Sequence, residues 1–191
     1  RCCWVVWMRK LKTTLNRRLK HWVPASIEVS PRERWRVALA AGVSLVLISL
    51  FWRVLAWSVD WQGQPLGLLA PLGASALLVF AVPASPMAQP WPAVLGNTLS
   101  VVVGLLCAHV LHIPELAISV ALPASIAIMY WTRSLHPPGV AMALLMVLMG
   151  PQTDPWPLVF CGFGGSLLLV TLGCLFNPLS GKRYPVRLPK H

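Results

Sequence analysis

Residues 132–144 read TRSLHPPGVAMAL, a polar segment with two prolines and a glycine that runs directly into an apolar one. Proline suits the first helical position, where its missing N–H group costs nothing. The stretch therefore predicts a helix that begins at Pro137. Its positive dipole end and first N–H groups would face whatever precedes His136, and helix ends of this kind bind anions.

The predicted helix is short for a membrane helix. Pro137 to Gly150 is 14 residues, or about 21 Å at 1.5 Å per residue, whereas a bilayer core is about 30 Å thick. Many transporters hold an anion at a helix that begins part-way into the membrane, with its positive end facing a cavity.

Two motifs resemble a known family. They are SLHPPGVAMAL at residues 134–144 and PLGASALLVFAVPASPMAQPWPAVLGN at residues 71–97. Together they resemble the HPP family of integral membrane proteins, and the likeness covers about Pro24 to Asn177. The resemblance implies a transporter, with nitrite transport the proposed role in cyanobacteria and plastids. It also implies four membrane spans.

The composition predicts an all-α integral membrane protein. Of the 191 residues, 57% are hydrophobic and 11% are charged, whereas soluble domains are about 25% charged. Ten of the sixteen basic residues lie before Val37 and four after Gly181. Basic ends around an uncharged middle are the positive-inside pattern and argue against nucleic acid as a partner. We expect both termini to be cytoplasmic and the membrane to be a bacterial inner (plasma) membrane.

The chain divides into three predicted parts. Residues 31–180 form the transmembrane domain, and residues 181–191 form a basic tail. Residues 1–30 form a basic arm whose spaced leucines, Leu11, Leu15 and Leu19, fit an amphipathic helix on anionic lipids. The alternative for this arm is a partly disordered basic tail.

Six apolar segments follow the arm, at about 37–59, 66–82, 91–112, 116–131, 137–150 and 156–176. Pro71-Leu72-Gly73 lies 66 residues before Pro137-Pro138-Gly139, and Pro90-Trp91-Pro92 recurs as Pro155-Trp156-Pro157 after 65. These landmarks predict a 3+3 repeat, which is inverted in the membrane because each unit has an odd number of spans. The alternative is four full spans plus two re-entrant segments.

The repeat predicts one anion site between two half-helices. Backbone N–H groups of Gly73, Ala74 and Ser75 would converge with those after Pro137 and Pro138, at Gly139 and Val140. The side chains of Ser75, Ser134 and His136 would add donors. The alternative is that both Pro-x-Gly starts serve helix packing through small residues.

Two further residues, Arg53 and Arg133, are the only basic ones between Val37 and Gly181. They would line the two mouths of an anion pathway, or else they are interfacial anchors beside Trp52 and Trp131.

The leading functional hypothesis is a transporter or channel for a small inorganic anion, with nitrite the first candidate. No carboxylate lies within an apolar segment, so His136 would be the internal proton group if transport is coupled. The alternatives are a scaffolding membrane subunit and, less favoured, an enzyme that uses His136 as base. We expect no enzymatic activity, no cofactor and no metal. The expected partners are the bilayer and the anion, with a homo-oligomer left open.

Overall fold

The computed structural model describes residues 29–58 and 65–186. Within these residues the chain forms helices and no strand, so the predicted all-α class is confirmed. The six α-helices there are α1 (Pro31–Ser58), α2 (Leu69–Ala81), α3 (Asn97–Val110), α4 (Pro114–Trp131), α5 (Pro137–Met149) and α6 (Trp156–Phe176). Most of the predicted arm and the last five residues lie outside the described residues, and the three-part division stays a prediction.

Four of the helices are long and apolar enough to cross a membrane, namely those at Pro31–Trp57, Pro92–Val110, Pro114–Trp131 and Trp156–Ser180. The other two, α2 and α5, have 13 residues each, which corresponds to about 20 Å. The fold therefore has four helices that can span a membrane and two shorter apolar helices. This is consistent with the alternative that the sequence left, four full spans plus two shorter segments.

Three hydrogen bonds fix the directions of the helices. Arg36, near the start of α1, donates to the Phe80 carbonyl at the end of α2 at 2.9 Å. Trp91, just before α3, donates to the carbonyl of Thr132, just after α4, at 3.1 Å. Asn177, after α6, donates to the Val79 carbonyl near the end of α2 at 3.0 Å. These contacts gather alternate helix starts and ends at one end of the bundle, which we call the Arg36 end.

The helix starts follow from local sequence. The Ser30 hydroxyl accepts from the Glu33 N–H at 3.3 Å and so caps the start of α1. Proline occupies the first position of α1, α4 and α5, where no N–H partner is needed. A π-helix, Pro92–Gly96, leads into α3, and the apolar pattern does not indicate it.

The most extensive packing is between α3 and α5. A Cβ atom on Gly104 would collide with the backbone of Ala143, and one on Gly139 would lie 3.0 Å from the Gly96 carbonyl oxygen. Small residues let membrane helices approach closely. The packing interpretation of the second Pro-x-Gly start therefore has a structural basis.

The outer face of the bundle is apolar. Trp35, Leu39, Val54 and Trp57 of α1 are each more than 60% exposed. In an aqueous protein such a face would be a liability, but a membrane-spanning helix needs it to face lipid. The two Pro-Trp-Pro motifs lie at the starts of the helical segments that contain α3 and α6, while the inverted repeat itself stays a prediction.

Candidate functional site

A cluster of polar side chains lies inside the bundle. Its members, which we call the polar cluster, are each at most 1% exposed: Ser75, Asn97, Ser100, His136 and Ser166. They come from α2, α3, α6 and the residue that caps α5. Buried polar groups in a membrane bundle are costly unless they are paired, and they commonly mark a functional site.

Hydrogen bonds join the polar cluster across three elements and the start of α5. The Ser75 Oγ atom lies 2.8 Å from His136 Nε2. The Asn97 amide nitrogen donates to Ser75 Oγ at 3.2 Å and to Ser166 Oγ at 3.0 Å. Asn97 of α3 is thus hydrogen-bonded both to α2 and to α6. Replacing one of these three residues therefore changes the hydrogen bonding of the others.

The His136 ring is also held from its other side. Its Nδ1 atom lies 2.7 Å from the Met87 carbonyl oxygen. A carbonyl can only accept, so Nδ1 carries a proton and Nε2 is the acceptor when the ring is neutral. The His136 backbone N–H contacts the Met129 sulfur at 3.4 Å. The orientation of the ring is therefore set by the turn Pro86–Ala88 and by α2.

Two atoms of the polar cluster have no hydrogen-bond partner in the described part of the chain. They are Ser100 Oγ and Asn97 Oδ1. Ser100 Oγ lies 2.9 Å from the position that a Cβ on Gly139 would take, so this hydroxyl faces the first turn of α5. An unpaired buried hydroxyl is unfavourable unless something else bonds it. The polar cluster therefore has an unused hydrogen-bonding group beside the first turn of α5.

The predicted cradle of free N–H groups at α5 is wrong. Pro137 and Pro138 have no N–H, and the Gly139 N–H donates to the His136 carbonyl at 2.9 Å. The Val140 N–H has the same carbonyl four residues before it, as its normal helical partner. The two prolines that favour a helix start therefore also remove its first two donors. An anion here would have to be held by side chains.

The predicted N–H groups of α2 are likewise not free. α2 begins at Leu69, before the expected Pro71, because the turn Pro65–Leu68 leads directly into it. Gly73 and Ala74 are thus inside the helix, where each N–H pairs with the carbonyl four residues earlier. A Cβ on Gly73 would meet only Leu45, at an ordinary 3.6 Å. Of this predicted trio, only the Ser75 side chain reaches the polar cluster.

The remaining predicted residues lie nearby without joining the polar cluster. The Ser134 hydroxyl is buried but pairs with the Thr132 hydroxyl at 2.7 Å. Pro138 and Gly139 are buried at the α3–α5 contact, Val140 is half-buried and Pro137 is exposed.

The two predicted pathway arginines are exposed and far apart. Arg133 follows α4 at the Arg36 end and has a left-handed backbone with φ of 55°. Arg53 is exposed and lies 17 residues beyond Arg36 along α1, or about 25 Å. They therefore lie toward opposite ends of the bundle, as predicted, while their role stays a prediction.

A basic cavity opens at the Arg36 end. It has a volume of about 590 Å³ and is lined by the loop Pro83–Ser85 together with Lys182, Arg183 and Val186. The same loop is tied down by Gln89, whose amide nitrogen donates to the Pro83 and Ser85 carbonyls at 2.9 Å. The local sequence of the loop does not indicate this cavity, because the basic residues that line it come from the other end of the chain.

Sequence reasoning missed Asn97 as a member of the site. The sequence does contain an indication of its role, because Asn97 is an amide residue inside an apolar segment. Ser100 and Ser166 lie 66 residues apart, which is the spacing of the predicted repeat, and the local sequence does not indicate a role in a site. Among the described residues, no group of three or more His, Cys, Asp or Glu could hold a metal ion, and the absence of a metal cofactor stays a prediction.

An apolar bundle with four full spans, two shorter helices and a buried polar cluster defines an integral membrane protein. The chain belongs to the HPP family, since the transmembrane region of that family matches residues 26–185.

Two transmembrane proteins of Dictyostelium discoideum are similar to it. One is 36% identical over 157 residues, which is 78% of this chain and 49% of that protein. The other is 36% identical over 128 residues, which is 62% of this chain and 44% of that protein. The chain therefore spans about half the length of the curated relatives it matches. No solved structure matches it.

Proposed function

We propose that this chain is a membrane transporter or channel for a small inorganic anion, with nitrite as the first candidate substrate. The observation that carries the proposal is the unpartnered Ser100 hydroxyl within a buried, uncharged polar cluster. Polar groups that are retained inside a membrane bundle are expensive and usually serve transport or binding. The resemblance of the two sequence motifs to transporters points to the same class.

The anion would be bound by side chains and not by backbone N–H groups. The Ser100 hydroxyl is the unpaired donor beside the first turn of α5. Both ring nitrogens of His136 already bond to Met87 and Ser75, so the ring would contribute its charge when it is protonated. The dipole of α5 adds a partial positive charge at the same place. A small anion suits this hydroxyl because a hydrogen bond to an ionised acceptor is stronger than one to a neutral acceptor.

The basic cavity would collect anions on one side of the membrane. Lys182 and Arg183 line the cavity together with the loop Pro83–Ser85. The turn Pro86–Ala88 follows this loop directly, and its Met87 carbonyl accepts a hydrogen bond from His136. A basic cleft raises the local concentration of anions by its electric field. Replacing both residues by glutamine should raise the anion concentration needed for half-maximal flux, and high salt should weaken the difference.

The proposal includes an orientation in which both termini are cytoplasmic, in a plasma membrane of bacterial inner-membrane type. Single cysteines at Lys182 and Thr153, in a chain without its own cysteines, test the orientation. The first should react with an impermeant reagent from the cytoplasmic side and the second from the opposite side. Labelling of both cysteines from the same side would contradict the proposed orientation.

We also propose that the chain is not an enzyme, because the polar cluster includes neither a thiol nor a carboxylate.

The deciding experiment is flux into liposomes that contain the purified protein, measured for nitrite, nitrate, chloride and bicarbonate. Ser100→Ala is the sharpest variant, because its hydroxyl has no partner to lose. Its thermal stability should equal or exceed that of the wild type, while its flux should fall at least several-fold.

Ser125→Ala is the matched control. Ser125 is also fully buried, but its hydroxyl bonds to the Leu122 carbonyl of its own helix at 2.9 Å. Its flux should stay near the wild-type value. If Ser100→Ala transports like the wild type, the polar cluster is a packing feature and the proposed site is wrong.

A further inference from the structure

The Ser75 hydroxyl has more partners than protons. Its oxygen lies 2.8 Å from His136 Nε2 and 3.1 Å from the Pro71 carbonyl oxygen, and it accepts from the Asn97 amide at 3.2 Å. A hydroxyl has one proton to donate and two lone pairs that accept. Ser75 can therefore donate to the histidine or to the carbonyl, but not to both at once.

The charge of His136 decides between these two arrangements. In the neutral ring, Nδ1 donates to Met87 and Ser75 donates to Nε2. In the doubly protonated ring, Nε2 donates instead, so Ser75 accepts from it and from Asn97 and turns its own proton to Pro71. Rotation of one O–H bond converts the first arrangement into the second. Both keep the Ser75 hydroxyl and the ring fully hydrogen-bonded.

We infer that the His136–Ser75 pair is the proton-binding site of a proton-coupled anion transporter, in which one proton crosses with each anion. This inference rests on the proposed function and supplies its energy source. The proton comes from water on the side where the anion enters, bonds to His136 Nε2, and is released to water on the other side. No other covalent bond changes and no electrons are transferred.

The surroundings of the ring explain why proton and anion would bind together. In the described part of the chain, the contacts of His136 with neighbouring elements include Ser75 of α2, Met87 of the turn, Gly96 of the π-helix and Met129 of α4. None of them is ionisable, and Asn97, the next residue of the polar cluster, is neutral as well.

The sequence has no acidic residue between Asp60 and Glu115 or between Glu115 and Asp154. A buried imidazolium without a counter-charge is costly, and an anion beside it would offset that cost. Because linkage is reciprocal, each of the two raises the affinity for the other.

The test uses wild-type protein in liposomes, with nitrate as the main probe and nitrite as the second. Protein-free liposomes are subtracted, since nitrous acid crosses lipid unaided. When the liposome interior is more alkaline than the outside, nitrate should accumulate inside to above its external concentration. A membrane potential set with potassium and valinomycin, without a pH gradient, should not cause accumulation, because one proton and one anion together carry no net charge. Binding to the detergent-solubilised protein should tighten about tenfold for each pH unit lowered while the free ring is neutral.

The variant His136→Gln tests proton coupling in a protein that should still fold. Glutamine keeps hydrogen-bonding groups but cannot take up a proton, so this variant should lose accumulation driven by the pH gradient and lose the pH dependence of binding. His112→Gln, an exposed histidine beyond the end of α3, is the control and should behave like the wild type.

The outcomes are distinct. If nitrate moves but follows only the membrane potential, or if wild-type binding does not vary with pH, the inference is overturned and the proposed transport stands. The inference is likewise overturned if His136→Gln keeps accumulation driven by the pH gradient. If neither gradient moves any anion and no anion binds, the proposed function is overturned and this inference with it.

Discussion

A Cβ atom placed on Gly139 would lie 3.0 Å from the carbonyl oxygen of Gly96 and 2.9 Å from the Ser100 hydroxyl. The two glycines therefore set how closely α5 approaches α3, and they hold the first turn of α5 against the polar cluster. The contact lies at the start of a helix, where the sequence analysis expected backbone groups open to a ligand.

Gly139→Ala should destabilise the protein, because the added methyl group has no room unless α5 moves away from α3. Overpacking of this kind costs about 1–3 kcal/mol, and the flux should fall with it. Gly73→Ala is the matched control, since its Cβ would meet only Leu45 at 3.6 Å. Thermal unfolding in detergent is the measurement, and equal losses in both variants would contradict the assigned contact.

Asn97→Ala should uncouple the members of the polar cluster. The change removes both hydrogen bonds from the amide and leaves Ser75 and Ser166 with fewer partners, at a cost of about 1–3 kcal/mol. In a double-mutant cycle with Ser166→Ala, the two losses should be clearly less than additive, since the residues share a 3.0 Å bond. Strict additivity would mean that this hydrogen bond contributes nothing to stability.

Arg36→Met should lower stability by about 1–2 kcal/mol. The Arg36 side chain donates to the Phe80 carbonyl at 2.9 Å and to the Asn177 side chain at 3.4 Å, so it holds together the ends of α2 and α6. A cation at a helix C-terminus is favourable through the helix dipole as well. Arg32→Met, at an exposed position of the same helix, should unfold at the wild-type temperature.

Tyr184 should make the protein sensitive to alkaline pH. Its hydroxyl donates to the Ala88 carbonyl at 2.8 Å, and burial raises the pKa of this phenol above its ordinary value. Stability is therefore full below the unfolded-state pKa of about 10 and is lost as the pH rises above it. Tyr184→Phe should be less stable at pH 7 but lose less between pH 9 and 11. A parallel decline in both proteins would mean that Tyr184 does not control this loss.

Arg133 can be tested for a pathway role without straining its backbone. Its φ of 55° suits asparagine or glycine and disfavours β-branched residues. Arg133→Asn should fold like the wild type and lower anion flux if the charge guides the anion. Arg133→Val should lose stability as well. Normal flux in the asparagine variant would leave Arg133 as an interfacial anchor.

Much of this fold could be predicted from the sequence because lipid imposes a simple rule. A membrane helix must be apolar over its length and must satisfy its own backbone, so the six apolar runs locate the six helices to within a few residues. The π-helix Pro92–Gly96 could not be predicted in this way. An extra residue in a turn rotates the side chains that follow it, but a run that is apolar on every side does not reveal the rotation. The early start of α2 depends on the turn Pro65–Leu68, which has no distinct signal in that pattern.

The arrangement of the polar cluster was predicted only in part. His136 and Ser75, which the sequence placed together, meet as side chains at 2.8 Å, while their role in binding stays a prediction. The predicted binding by free backbone N–H groups does not fit α5, because prolines have no N–H. It does not fit α2 either, because Gly73 is inside that helix. Asn97 joins the site through distances of 3.0–3.2 Å to residues on two other helices, and such long-range contacts are not visible in local sequence.

Two adjacent backbone carbonyls, of Met87 and Ala88, connect the residues after α6 to His136. The Ala88 carbonyl accepts from Tyr184 and the Met87 carbonyl accepts from His136, while the Gln89 side chain accepts from the Val186 N–H at 2.8 Å. The chain that follows α6 and the His136 ring therefore share one anchor. Neither can be repositioned without changing the hydrogen bonds of the turn Pro86–Ala88 and of Gln89 beside it.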